Sequence, residues 1–140
     1  MQDFTKKISI IINKENEKWQ SVNAVAHISA YLGNKMTAPF DTGEIFTTSD
    51  DLTYPRNSQF PIIVLESDCA QLKGLVPAVK TSGLLYLIFI KEMIETSDDM
   101  EIESIVKGKA DENLEILGLG VFGDKDEVNK ITKGFGLWKL

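Results

Sequence analysis

Four stretches of nearly continuous apolar sequence, ISIII (8–12), PIIVLE (61–66), LLYLIFI (84–90) and LEILGLGVF (114–122), constrain this chain more than anything else in it. Each has the length of a strand, and each is apolar at both alternating positions, so neither face of a sheet built from them can meet water. The segments between them carry apolar residues at three- and four-residue steps. Strands alternating with helices, and strands covered on both faces, describe a layered α/β sandwich.

Along the first run, Ile8, Ile10 and Ile12 alternate with Ser9 and Ile11 up to Asn13. A helix follows in which Val22, Val25, Ala26, Ser29, Leu32 and Met36 share a side, with Asn16 as N-cap and Gly33 weakening the last turn. Residues 37–60 contain DTGE between β-formers and suggest a hairpin or excursion, a connection long enough to shape a binding surface. Asp68 and Gln71 have capping-box spacing for a second helix with a stripe of Leu72, Leu75, Val76 and Val79, ended by Gly83. Pro77 lies inside that stripe and removes a backbone donor, which costs about 3 kcal/mol in a helix interior, so a kink or break is expected there. A short helix fits ETSDDMEIESIVKG, capped by Thr96 or Ser97, with Met100, Ile102, Ile105 and Val106 inward and Gly108 as its stop. Asp124 and Glu127 have capping-box spacing for a last helix through Val128 and Ile131, closed by Gly134.

The 140 residues, 43% hydrophobic and 26% charged, suit one domain over 1–140. A net charge of −6 with one arginine, Arg56, opposes nucleic-acid binding, which needs several phosphates neutralised. The lysines do not cluster: Lys6 and Lys7 stand near the start, and Lys130, Lys133 and Lys139 are spread over the end. The single cysteine, Cys69, offers no internal disulfide. MQDFTKKISIIINK lacks the apolar core and cleavage site of a signal peptide, and LLYLIFI is too short to span a bilayer. A cytoplasmic protein without a membrane role is expected.

LEILGLGVFGDKDEVNKITKGFGLWKL resembles the C-terminal signature of the peptidyl-tRNA hydrolase type II fold, in which a strand ends in Gly and leads into a helix ending near Lys-x-Thr-Gly. The likeness is closer to an uncharacterised, mainly bacterial family, domain of unknown function two-thousand, carried also by the first strand with WQSVNAVAH and by IKEMIETSDD. The resemblance implies a three-layer α/β/α sandwich around a four-stranded mixed sheet, three strands parallel and one antiparallel, and often a homodimer. It does not carry over the hydrolase chemistry. Gln20 stands where the hydrolases have the lysine of a Gly-Lys pattern, and Lys91, Glu92 and Met93 stand where they have Asp-Ala-Gly. Thr96, Ser97, Asp98 and Asp99 replace the Thr-Gly-His-Asp usual in the nearer family.

Ligands of such sheets collect beyond the carboxyl ends of the parallel strands, where strand order changes direction. Asn13, Lys14, Glu66, Ser67, Lys91 and Glu92 leave those ends, and Trp19 and Gln20 open the first helix at the same edge, its free amides facing outward. Asn23, His27, Ala30 and Asn34 form a polar stripe beside the apolar one. Histidine readily exchanges a proton near neutrality, and His27 is the only one here. The expected catalytic pair is His27 as acid or base with Glu92 as its orienting carboxylate. Trp19, Gln20, Asn23, Lys91 and Thr96 are the expected ligand-binding residues. Against this, a lone histidine in a buried helix is more often a packed side chain, and Trp19 a lid over the core. Cys69 at a helix N-terminus has the setting of a reactive thiolate but also of a small hydrophobe. Asp98, Asp99, Glu101 and Glu103 lack the glycine turn of a calcium loop and read as a solvated face. No metal or cofactor is implied.

The function these residues suggest is small-ligand binding at the strand-end pocket of a peptidyl-tRNA hydrolase type II-like domain that lacks the hydrolase residues. The alternatives are residual cleavage of peptidyl-tRNA or another acyl ester through Glu92, and a non-catalytic dimeric interaction module using residues 37–60.

Overall fold

The computed structural model describes residues 2–37 and 45–139. In chain order its elements are β1 (Lys6–Asn13), α1 (Lys18–Lys35), β2 (Phe46–Thr47), β3 (Thr53–Tyr54), β4 (Ile62–Ser67), α2 (Cys69–Thr81), β5 (Leu85–Ile90), α3 (Glu92–Glu95), α4 (Asp99–Lys107), β6 (Ile116–Asp124), α5 (Lys125–Thr132) and β7 (Gly136–Leu137), with a 3-10 turn at Asp111–Asn113. The main sheet has the order β5-β6-β1-β4-β7. β1 and β4 pair in parallel, whereas β6 runs antiparallel to both its neighbours and β7 antiparallel to β4. The four expected strands form, three of them sharing one direction. The sheet nevertheless has five strands, because the chain after α5 turns at Gly134 (φ 92°) and lays Gly136 and Leu137 against β4. Two residues of ladder give too short a pattern to register in the sequence.

Alternation in the strands divides the core. Ile8, Ile10 and Ile12 of β1 and Leu85, Leu87 and Phe89 of β5 pack under α1. Ile11, Tyr86, Ile88 and Ile90 pack on the other side with α2 and α5. Gly118 and Gly120 of β6 lie beneath α1. A Cβ at Gly118 would come 2.9 Å from Ile12 Cδ1, and one at Gly120 would overlap Ile28 Cγ2. The two glycines form a trough into which Ile28 and Leu32, both fully buried, descend.

Several local expectations shift. The buried stripe of α1 is Ser21, Ala24, Ile28 and Leu32, while Val22 is 60% exposed, so the helix is rotated by about one position from the expected face. Glu17, not Asn16, caps α1: its N–H donates to Gln20 Oε1 (2.9 Å), and Asn16 Nδ2 instead donates to the Leu117 carbonyl (2.8 Å). α2 runs unbroken through Pro77, because that residue lies on the exposed side while Leu72, Val76 and Val79 anchor the opposite side, and the Pro77 carbonyl accepts from Thr81 Oγ1 (3.0 Å). The Asp68–Gln71 capping box forms in both directions (2.8 and 3.1 Å). α4 is capped by Asp98, whose Oδ1 accepts from Met100 N (2.8 Å), rather than by Thr96 or Ser97. Met100 therefore falls in the first turn and points outward, 79% exposed. Asp124 precedes α5 without a side-chain cap, since β6 continues through it.

The DTGE segment, Asp41–Glu44, lies outside the described residues. Beyond it, β2 and β3 pair as a hairpin in which the Arg56 guanidinium sits 4.4 Å above the Phe46 ring. The excursion then returns to the core through Phe60, edge-on to Phe122 at 5.0 Å.

Replacing Gly120 by Ala is expected to cost at least about 2 kcal/mol in urea unfolding, because the added methyl overlaps the branched root of a buried isoleucine. Gly74→Ala serves as the control: nothing lies within 4 Å of its Cβ position, and helix propensity is expected to add about 0.5–1 kcal/mol of stability.

Candidate functional site

The residues leaving the strand ends have mostly structural partners. Asn13 Nδ2 donates to the Ile116 carbonyl (3.2 Å) and its Oδ1 accepts from Glu15 N (3.0 Å), joining the ends of β1 and β6. Lys14 N donates to the Ser67 carbonyl (2.9 Å), Ser67 Oγ to the Asp68 carbonyl (3.0 Å), and Glu66 Oε2 accepts from Lys139 N (3.2 Å). The carboxyl end of β5 is different, for there the chain turns through α3 and α4 and leaves an open cleft against α1.

That cleft has a volume of about 560 Å³, and His27, Tyr31, Phe89, Met93, Thr96 and Asp99 are among its lining residues. His27 follows directly before Ile28 and is exposed, contrary to the expectation of a buried helical histidine. Burial of Ile28 in the glycine trough brings the neighbouring imidazole down beside β5, where it stacks on Phe89 with ring centroids 5.3 Å apart and planes 15° from parallel. Thr96 ends the α3 turn, and its Oγ1 is buried without a hydrogen-bond partner among the described residues. Two of the expected residues, His27 and Thr96, thus share one cavity.

The others fall elsewhere. Trp19 and Asn23 line a separate shallow groove with Lys18, Val22 and Ala26 on the outer side of α1. The Trp19 indole donates to Glu17 Oε2 (2.6 Å) and is 56% exposed, so it is no lid over the core. Asn23 Oδ1 is buried without a partner among the described residues. Gln20 is engaged in the α1 cap. Lys91 forms ion pairs with Glu115 (3.1 Å) and Glu95 (3.7 Å). Glu115, by hydrogen bond and charge, and then Glu95 hold its ammonium above the ordinary lysine range. Cys69 is half-buried and free at the start of α2.

Glu92 is buried, and its partner is Lys109, whose Nζ lies 2.6 Å from Oε1. Its other oxygen has no hydrogen-bond partner among the described residues. The carboxylate expected to orient the imidazole is therefore held by an ammonium seventeen positions along the chain. Burial pushes the Glu92 carboxyl up, but the Lys109 hydrogen bond, its own backbone N–H and the charges of Lys109 and Lys91 outweigh that, leaving it below the ordinary glutamate value. The pair ties α3 to the segment after α4, and α3 supplies Met93 and leads to Thr96 in the cleft.

Sequence reasoning missed Tyr31, Phe89, Met93 and Asp99 as cleft residues. Tyr31 lies four positions after His27, and Phe89 stands at the end of the most apolar strand, so helical and strand spacing could have placed both near the imidazole. No group of three or more His, Cys, Asp or Glu residues suited to a metal occurs among the described residues. Nor is any described helix long and apolar enough to cross a membrane.

Lys109→Met leaves Glu92 buried without its cation and is expected to lower stability by about 1–3 kcal/mol at pH 7. A carboxyl held below its unfolded value stabilises above that value and loses the effect as pH falls through the folded one. The gap between wild type and Lys109→Met in chemical unfolding should accordingly narrow as the pH drops below the ordinary glutamate range; a gap that stays constant would contradict the pairing.

A protein of unknown function from Agrobacterium tumefaciens has a solved structure that superimposes with a TM-score of 0.82, covering 98% of this chain and 100% of that one at 23% sequence identity. At that identity the likeness establishes the fold. No curated protein matches the chain. The family model described as "Protein of unknown function (DUF2000)" matches residues 6–139, nearly the whole length, and the chain belongs to that family.

Proposed function

We propose that this domain binds a small, flat, polar molecule in the cleft between α1, β5 and the α3–α4 segment, on a scaffold of the peptidyl-tRNA hydrolase type II kind without the hydrolase residues. The observation that carries the reading is the exposed His27 imidazole, stacked on Phe89, in the cavity also lined by Thr96, whose buried hydroxyl has no partner among the described residues. A concave site with an apolar floor and a few polar groups is the usual form of a small-molecule site, and about 560 Å³ lies within the ordinary range. Tyr31 and the exposed His27 imidazole, backed by the buried Phe89 ring, offer aromatic surface to a planar ring. Thr96, Ser97 and Asp99 offer hydrogen bonds to its edge.

In this reading His27 is the group that donates to or accepts from the ligand, and it is the acid or base of any reaction performed there. Glu92 does not touch the ligand. It is a positioning residue that, through Lys109, fixes the turn carrying Met93 and Thr96.

The test is an NMR titration with a set of heteroaromatic compounds, following the His27 imidazole and Thr96 signals. Compounds that bind are expected to shift both, and His27→Ala should weaken them at least tenfold while costing the fold only about 0.5–1.5 kcal/mol, the worth of an aromatic stack. If no compound moves those signals, or if His27→Ala binds as well as wild type, the cleft is not the site.

A further inference from the structure

β5 has a second cavity on its other side. Leu87 and Phe89 face the His27 cleft, whereas Ile88 and Ile90 form the floor of a pocket of about 360 Å³ beneath α2, within the range of small-ligand sites. Leu114 and Ile116, also two residues apart, extend the floor, and Val76 of α2 completes it. The spacing of two along the strands and of three and four along the helix explains why these apolar groups converge.

The charges at its rim are segregated. Lys73 and Lys80 lie on the α2 side, in one stripe with Val76 between them. Asp111 and Glu112 lie on the facing 3-10 turn. Lys73 Nζ already donates to the Glu112 carbonyl (2.6 Å) and bridges the two walls. Lys80 and the Asp111 and Glu112 carboxylates form no ion pair among the described residues, so one wall offers a cation and the other anions across an aliphatic floor.

We infer that this pocket is a second binding site, for a zwitterion with an aliphatic body, the chemistry of short hydrophobic peptides. A carboxylate meets Lys80, an ammonium meets Asp111 and Glu112, and branched side chains cover Ile88, Ile90 and Leu114. A purely anionic or purely cationic amphiphile would face like charge on one of the two walls, and a fully polar ion would leave the floor uncovered.

The experiment uses the full chain with leucyl-leucine, its N-acetylated and C-amidated forms, octanoate and octylamine, read by calorimetry and by NMR signals of Ile88 and Leu114. Leucyl-leucine is expected to shift those signals without moving His27, and to bind at least fivefold tighter than any of the four probes that lack one of its charges. Lys80→Ala, at an exposed position with little bearing on folding, should weaken the dipeptide at least fivefold, and Leu114→Phe should weaken it by partly filling the pocket. The inference is overturned if the dipeptide leaves Ile88 and Leu114 unmoved at millimolar concentration, if capped and uncapped probes bind alike, or if Lys80→Ala has no effect. Because the readout lies on the opposite side of β5 from His27, failure here leaves the cleft assignment standing, and the reverse also holds.

Discussion

The descent of Ile28 and Leu32 into the space over Gly118 and Gly120 sets the height of α1 above the sheet, and the geometry of the cleft follows from that height. A strand interior gains little from glycine, which packs nothing and orders at an entropic cost, so two of them two residues apart mark a place where something must come close. Here the something is a helix. With any side chain on that side of β6, α1 would ride higher, Ile28 would lose its seat, and His27 would lift away from Phe89. The stack at 5.3 Å is thus a consequence of absent methyl groups on the neighbouring strand, where Gly118 pairs with Phe89.

Polar groups near the strand ends divide into those that hold the fold and those left over. Asn13, Ser67, Glu66 and Gln20 are bonded into turns and caps, and Lys91 and Glu92 into ion pairs, so most of the polar edge has little bonding capacity free for a ligand. Glu92 shows how this division works. A carboxylate buried beside β5 needs a counter-charge, and whichever cation reaches it also fixes the local chain path. Lys109 does so, and the bond ties α3 to the segment that follows α4. Thr96 and His27 remain with unspent hydrogen-bonding capacity.

Strands buried on both faces write themselves into sequence as unbroken apolar runs, and for that reason β1, β4, β5 and β6 were legible, as was the alternation that covers both sides of the sheet. The Asp68–Gln71 box and the turns at Gly83 and Gly134, both at positive φ, were legible because each is a short-range device. What escaped depends on distance. The face of α1 was displaced by a residue because Val22 and Ala26 look as apolar as Ala24 and Ile28, and only the glycines of β6, some ninety positions away, decide which pair goes down. The Glu92–Lys109 bond spans two helices and a turn, and nothing in either residue names the other. β7 is too short for any period to show. His27 could be singled out from the sequence, but whether it met solvent or core turned on the same one-residue rotation.

The strand LYLIFI carries its side chains alternately into two different environments, and this explains why so apolar an edge strand tolerates its position. An edge strand covered on one face alone would leave the apolar side chains of its other face open to water. β5 instead has α1 and α3 against one face and α2 with the 3-10 turn near the other, yet neither covering is complete. Two cavities are the result, on opposite sides of a single strand only one residue deep. Their linings differ in kind: aromatic and hydroxylated on the α1 side, aliphatic with opposed charges on the α2 side. Because alternate side chains of β5 enter different cavities, a change at Ile88 or Ile90 alters one lining and a change at Leu87 or Phe89 alters the other.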